Sequence, residues 1–317
     1  MLKIKSTYIK DIRSGEKIYD SFLVTEKNLA YSQKGSPYLN LRLKDRTGEV
    51  EGKIWENANE WDKQFKKGDI IRIQSRAVNF RNTLQLSILD VQKMDDSSIN
   101  PEDYFPVARR DIEEMFVEMM TYVEEIRNPY LKSLLEAFFK DDTISMMFKK
   151  APAAKTFHHV YRGGLLEHTL SVVRLLEIVT DHYDGVDRDL LITGGLLHDI
   201  GKIYEFSYDN ITDYSDQGRL VGHIVIGVEM LNTKIATIDA FPEALAMELR
   251  HLLLSHHGTH EFGSPKRPKT VEALMVHHID DLDAKMNAFQ GFIEESGDDE
   301  SHWTPFHRLF ERFIYKG

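Results

Sequence analysis

The sequence predicts a multidomain α and β protein: a small closed barrel of all-β character, followed by an all-α helical bundle. Three observations lead there. The apolar repeat changes from a period of two to a period of about 3.6 near residue 95. The charge balance reverses over the same stretch: residues 1–94 carry 18 Lys+Arg against 12 Asp+Glu, leaving 22 of the 40 basic and 39 of the 51 acidic residues for the remainder. All 14 histidines lie between His158 and His307. A basic front half suits a polyanion, and a histidine-rich back half suits metal chemistry.

In the front half, alternating runs mark strands at residues 38–43 (YLNLRL), 50–55 (VEGKIW), 69–73 (DIIRI) and 84–91 (LQLSILDV). Turn residues separate them: KGSP at 34–37, DRTG at 45–48 and KKGD at 66–69. Residues 57–65 (NANEWDKQF) read as a short helix between strands. Five or so strands in about 90 residues, with one small helix, suit a closed barrel. The polar stretch DDSSINPED at 95–103 then reads as a linker, giving a barrel at 1–94, a linker at 95–110 and a helical unit at 111–317. Ile112, Met115, Phe116, Met119, Val123 and Ile126 trace the first helical stripe, and similar stripes are expected as far as the aromatic series Trp303, Phe306, Phe310, Phe313. That series packs on its own unit or on a second subunit, and a homo-oligomer is expected.

The chain has 317 residues and no cysteine, which excludes disulfides, thiolate metal sites and a Cys nucleophile. Its start lacks an apolar signal core, and no uninterrupted apolar run approaches 18 residues. A cytoplasmic protein with no membrane partner is expected.

The chemistry of the helical half gathers at helix ends. GGLLEHTL at 163–170 places His168 on the apolar face of a helix with Leu165, Val172 and Leu175. LLHDIGK at 196–202 ends another apolar run on His198-Asp199. His223 precedes Ile226 and Met230, His256-His257 follows 252–254 (LLL), and Asp280 follows 273–276 (ALMV). Any one of these is compatible with a satisfied core residue. Buried imidazoles and carboxylates are costly unless paired or coordinated, and a divalent cation satisfies several together.

The ordered set His168, His198-Asp199, His223, His256-His257 and Asp280 resembles the HD-domain phosphohydrolase superfamily over roughly residues 155–290. The resemblance implies a helical fold and metal-dependent hydrolysis of phosphate esters. His223 and the His256-His257 pair, beyond the superfamily's minimal pattern, suggest two ions with Asp199 shared. Which of His256 and His257 ligates is open at this stage. Mixed imidazole and carboxylate ligands favour Mn²⁺, with Fe²⁺, Co²⁺ or Ni²⁺ as alternatives. Lys202 either neutralises charge on the scissile phosphate beside catalytic Asp199 or is a solvated lysine at a helix end. His158 and His159 are candidates for the substrate cleft. Lys266 and Arg267 are candidates for a clamp on a nucleic-acid backbone.

The barrel resembles an OB-fold of the tRNA-anticodon-binding kind, on residues 39–55 (LNLRLKDRTGEVEGKIW) and 67–71 (KGDII). Such barrels grip single strands with a basic groove and stacking aromatics. Tyr31, Tyr38, Trp55 and Phe80 are candidate platforms; Arg42, Lys44, Lys53 and Arg76 are candidate phosphate contacts. Trp55 and Phe80 have a competing place in the barrel core, and for Trp55 the core is the expectation. An OB-fold ahead of an HD domain resembles the YhaM-type 3′→5′ exoribonucleases. That likeness implies hydrolysis of single-stranded RNA to nucleoside 5′-monophosphates, with single-stranded DNA or small nucleotides as alternative substrates. A nucleic-acid-binding regulator with a structural HD site is the reading from another class.

Overall fold

The computed structural model describes residues 5–81, 83–95, 99–104, 108, 110–154, 161–207, 213–297 and 301–317. They fall into two compact units, one within residues 1–107 and the other from 108 onward.

The first unit is a five-stranded closed barrel built from β1 (Lys17–Tyr31), β2 (Pro37–Asp45), β3 (Gly48–Ile54), β4 (Ile70–Phe80) and β5 (Thr83–Lys93), in the order β1-β2-β3-β5-β4. A short helix, α1 (Ala58–Trp61), joins β3 to β4. All neighbouring pairs are antiparallel except β3 with β5, whose parallel pairing closes the OB-fold. Closure needs a long strand that serves both ends of the sheet. β1 does so: Leu23 pairs with Lys44 of β2 and with Ile70 of β4, and the register shifts between Val24 and Glu26 where the strand bends. Phe22, Leu39, Leu41, Leu43, Ile54, Ile71, Ile73 and Leu86 fill the interior. At Gly52 a Cβ would come within 2.8 Å of Ile88 Cδ1, so a larger residue there would require the Ile88 side chain to shift.

β1 escapes alternation-based reading because five consecutive residues, Asp20–Val24, are buried, two of them polar. Asp20 is satisfied by the N–H groups of Ser6, Thr7 and Ser21. The buried Lys5 ammonium donates to Ser21 O at 2.6 Å and lies 3.6 Å from Asp45. Part of the expected linker also belongs to the barrel. Ile99 and Tyr104 pack with Leu23, Ile70 and Met94, Tyr104 Oη is 2.6 Å from Ser21 Oγ, and Tyr8 donates to Asp103 at 2.7 Å. The polar composition of 95–103 hid the anchor at Ile99, and Tyr104 follows directly after it.

The second unit is helical: α2 (Ile112–Glu125), α3 (Pro129–Phe139), α4 (Asp142–Lys150), α5 (Gly164–Thr180), α6 (Arg188–Leu197), α7 (Lys202–Glu205), α8 (Asp216–Leu220), α9 (His223–Ile235), α10 (Glu243–Ser255) and α11 (Val271–Glu295). Two short strands, β6 (Phe206–Ser207) and β7 (Asp213–Tyr214), pair between α7 and α8. Several helices start on side-chain caps: Asp111, Asn128, Asp141, Asp187, Ser215 and Thr270 each accept a first-turn N–H. One apolar core joins α2–α6 to α9, α10 and α11. α6 is buried from Leu190 to its end, and Gly194 and Gly195 let Leu252 and Leu176 close on it; a Cβ would lie 2.9 Å and 2.5 Å from them. No described helix is long and apolar enough to cross a membrane.

The helical expectation fails at the C-terminus. Residues 301–317 double back through bridges between Trp303 and Tyr315 and between His307 and Arg312. Thr304 and Ile314 face inward, while Trp303, Phe306, Phe313 and Tyr315 stay more than half exposed. Phe310 and His307 pack on Phe289 and Phe292 of α11. Pro305 and the pairing of aromatics across two extended arms outweigh a helical period too short to propagate.

Candidate metal centre and nucleic-acid interface

Four helix ends and one helix interior bring the ligand-type residues together. His168 lies in the second turn of α5, and its imidazole is wholly buried. α6 ends on His198, so Asp199 follows in the turn leading to α7, with both side chains buried. His223 opens α9, His256 caps α10, His257 follows it, and Asp280 lies in α11.

Two sets of three ligand atoms form: His168 with His198 and Asp280, and His223 with His256 and His257, each set within 4.8 Å. Asp199 stands between them. Its Oδ2 is 3.4 Å from His198 Nε2 and 3.6 Å from His168 Nε2. Its Oδ1 is 3.4 Å from His223 Nε2 and 3.6 Å from His256 Nε2. In the first set, His168 Nε2 lies 3.1 Å from Asp280 Oδ1 and 3.3 Å from His198 Nε2.

Every imidazole is oriented through its other nitrogen. His198 Nδ1 donates to Gly195 O at 2.7 Å, His256 Nδ1 to Leu253 O at 2.8 Å, and His257 Nδ1 to Phe262 O at 2.9 Å. His168 Nδ1 donates to Asp283 Oδ2 at 2.7 Å, and His223 Nδ1 to Glu205 Oε1 at 2.9 Å. That turns the Nε2 atoms toward one another. The donor set fits divalent cations on a direct test: Asp199 Oδ1, His223 Nε2 and His256 Nε2 are buried with no hydrogen-bond partner among the described residues. Three such atoms facing one another are costly unless a cation joins them.

The electrostatics agree. Burial works against charge on Asp199, but Lys202 and the surrounding histidines hold its carboxyl well below the usual range. Burial likewise opposes ionisation of Asp280, and His168 and His198 hold it low. Burial and neighbouring His256 push His257 down to about 4, so its imidazole is neutral and able to ligate at pH 7. His168 goes the other way: against burial, Asp280 and Asp283 carry it up to about 9. A proton there occupies the place a cation would take.

Glycines permit this convergence. A Cβ on Gly201 would fall 2.0 Å from His223 O and 2.7 Å from Gly227 N, so the HDIGK turn and the start of α9 meet backbone to backbone. Gly258, at φ +77°, leaves room for the His277 ring, which a Cβ would meet at 2.1 Å. His277 Nδ1 in turn donates to His256 O. Lys202 is nearly buried and donates its ammonium to Asp199 Oδ2.

Sequence reasoning missed Asp283 and Glu205. Asp283 lies one helical turn beyond Asp280, on the same face of α11, and accepts from both His168 and Ser171 Oγ. That spacing was the available signal. Glu205 had none, because only the fold brings it to His223.

The comparisons with known proteins follow the same two-part division. An HD domain matches residues 165–285, and an OB-fold nucleic acid binding domain matches residues 23–94. The 3′-5′ exoribonuclease YhaM of Bacillus subtilis (strain 168) is 32% identical over 281 residues, 88% of each chain. That of Listeria welshimeri is 34% identical over 290 residues, 90% of this chain and 91% of its own. The chain belongs to the YhaM family. Among solved structures, the second OB-fold domain of replication protein A from Methanococcus maripaludis is 21% identical, covering 28% of this chain and 95% of that one, with a TM-score of 0.24.

In this YhaM-family barrel the aromatic candidates separate. Tyr38 and Trp55 stack, with ring centroids 4.7 Å apart. Lys53 Nζ lies 5.7–5.8 Å from the rings of Tyr38, Trp55 and Phe80. Trp55 is 52% exposed, which corrects its expected place in the core. The strand's own alternation explains it: Val50, Gly52 and Ile54 point inward, so Trp55 points out. Phe80 is also about half exposed. Tyr31 is exposed at the end of β1, where it pairs with Pro37. Arg42 lies 3.7 Å from Glu49 and 4.0 Å from Glu26, so its charge is shared. Lys44 is half-buried and Arg76 exposed. In the helical unit Lys266 and Arg267 are exposed in the loop after His257, which Lys266 N anchors to Leu254 O. His158 and His159 lie outside the described residues.

Proposed function

We propose that this chain is a metal-dependent 3′→5′ exoribonuclease that degrades single-stranded RNA to nucleoside 5′-monophosphates with two divalent cations, Mn²⁺ foremost. The observation that carries this reading is the sharing of Asp199: each of its oxygens faces one of two three-residue ligand sets. His168, His198 and Asp280 would hold one ion, and His223, His256 and His257 the other, with Asp199 common to both. The mixed imidazole and carboxylate donors suit Mn²⁺, Fe²⁺, Co²⁺ or Ni²⁺ better than Mg²⁺. Bound there, the cations supply Lewis acidity for attack of water on a phosphodiester.

The chain's own residues do the rest. Lys202 holds Asp199 in place through Oδ2 and offsets its charge. Gly195, Leu253 and Phe262 carbonyls fix three imidazoles without adding charge. Hydrolysis forms a bond from water oxygen to the terminal phosphorus and breaks the bond to the preceding 3′-oxygen, so a 5′-monophosphate leaves. No Cys nucleophile is needed, and the chain contains none. Lys266 and Arg267 are proposed as backbone contacts of the helical unit. In the barrel, Tyr38, Trp55 and Phe80 offer stacking faces around Lys53, a combination that grips unpaired bases in a sequence-tolerant way. Tyr31, Lys44 and Arg76 are proposed as further contacts of the barrel.

Incubating 5′-labelled single-stranded RNA or DNA with the protein and Mn²⁺, Mg²⁺ or EDTA tests this. A ladder of shortening products on RNA with Mn²⁺, absent in EDTA, is expected. Intact RNA in every condition would overturn the proposal, and a ladder on DNA alone would reassign the substrate.

A further inference from the structure

The two ligand sets are chemically unequal. The first contains a carboxylate of its own, Asp280, and is backed by a second, Asp283. The second set is all imidazole, and the carboxylate it touches directly is the shared Asp199. Its histidines are braced by the Leu253 and Phe262 carbonyls, except for His223, which is braced by Glu205. Glu205 is 6% exposed, and a buried carboxylate is costly without a purpose of comparable size. One of its oxygens, Oε1, takes both the ring N–H of His223, at 2.9 Å, and its backbone N–H, at 3.0 Å. It therefore sets the rotation of the ring as well as the start of α9.

The local fold is arranged around Glu205. Its carbonyl accepts from Ser215 N at 2.9 Å, and Gly218 packs so closely on that carbonyl that a Cβ would sit 2.1 Å away. Ser215 Oγ donates to Tyr204 O beside it. Ser215 and Gly218 thus meet the backbone of Glu205 shortly before the chain enters α9 at His223.

Resting on the two-ion reading above, the structure assigns Glu205 as the positioning residue of the second ion: it fixes His223 and supplies the negative charge that the all-imidazole set lacks. A carboxylate behind a ligating imidazole raises its basicity and locks its tautomer, and losing one typically costs about 10- to 100-fold in metal affinity. Loss of Glu205 falls on a set with no other charge of its own, whereas loss of Asp283 falls on a set that keeps Asp280. The two carboxylates occupy equivalent places and are unequal in consequence.

Calorimetric titration of the full-length, metal-free protein with MnCl₂ tests this without reference to activity. The wild-type chain is expected to take up two ions. Glu205→Gln, which keeps size and an acceptor but removes charge, should weaken one ion about 10- to 100-fold and leave the other within about twofold. Asp283→Asn should weaken the other ion, and by less. His223→Ala and His168→Ala identify which ion is which. Melting of the metal-free Glu205→Gln chain checks that it is folded before titration; if that variant does not fold, Glu205→Asp is read the same way, with a smaller loss. Unchanged affinity for both ions in a folded Glu205→Gln protein overturns the inference, as does equal weakening of both. A wild-type chain that holds fewer than two ions overturns the two-ion reading itself, a failure visible before any Glu205 variant is measured.

Discussion

Asp199 serves two ligand sets with two oxygens, and Lys202 holds one of them. Replacing it should therefore disable both sets together. Asp199→Ala is expected to lower RNA cleavage by at least ~10³-fold, about 4 kcal/mol in barrier, while RNA affinity by fluorescence anisotropy stays within about twofold. A parallel loss of affinity would show that the centre, and not the barrel, does the gripping. Trp55 makes the complementary case. Its ring is exposed and stacked on Tyr38, so Trp55→Ala should weaken single-stranded RNA binding by about 1–3 kcal/mol, roughly 5- to 150-fold. Cleavage of a dinucleotide should be unaffected. At this scale the sequence was most legible where polar residues interrupted apolar helices, because burial of His and Asp has few inexpensive explanations. It misled at Trp55, where aromatic size suggested a core residue and the strand's period already placed it outside.

Among the elements, the approach of α9 to the turn after α6 decides whether the second ligand set forms. Gly201 meets the backbone of His223 and Gly227, neither of which can yield as a side chain could. Gly201→Ala should cost more than about 3 kcal/mol in urea unfolding, beyond the usual range for one substitution. A cost under about 1 kcal/mol would mean the close approach is not required. Helices were readable from their 3.6-residue stripes. β1 was not, since its buried Asp20 and Ser21 break the apolar alternation and find partners at Ser6, Thr7 and Tyr104, outside the strand. The C-terminal aromatic series had helical spacing, yet pairs across two extended arms, an outcome decided by non-local contacts.

For the molecule as a whole, the barrel and the helical unit have separate apolar cores. Ligand binding stabilises only what must be folded to bind, by about 2.7 kcal/mol at a hundredfold excess over Kd. Calorimetric melting should accordingly show Mn²⁺ raising the transition of the helical unit and EDTA reversing it, with the barrel transition unmoved. A common shift of both would show that the units melt as one.

Composition and pattern by themselves determined that there are two units, that one is a basic barrel and the other a histidine-rich bundle, and which side chains could ligate. Those properties are local: period, turn chemistry and residue type are carried by the chain in order. Only the tertiary structure decided that Asp199 faces two sets, that Glu205 and Asp283 stand behind His223 and His168, and that Trp55 stacks on Tyr38. Glu205 and His223 are 18 residues apart, and His168 and Asp283 are 115 apart. No short-range preference connects such residues; packing of α5, α7, α9 and α11 around one core does.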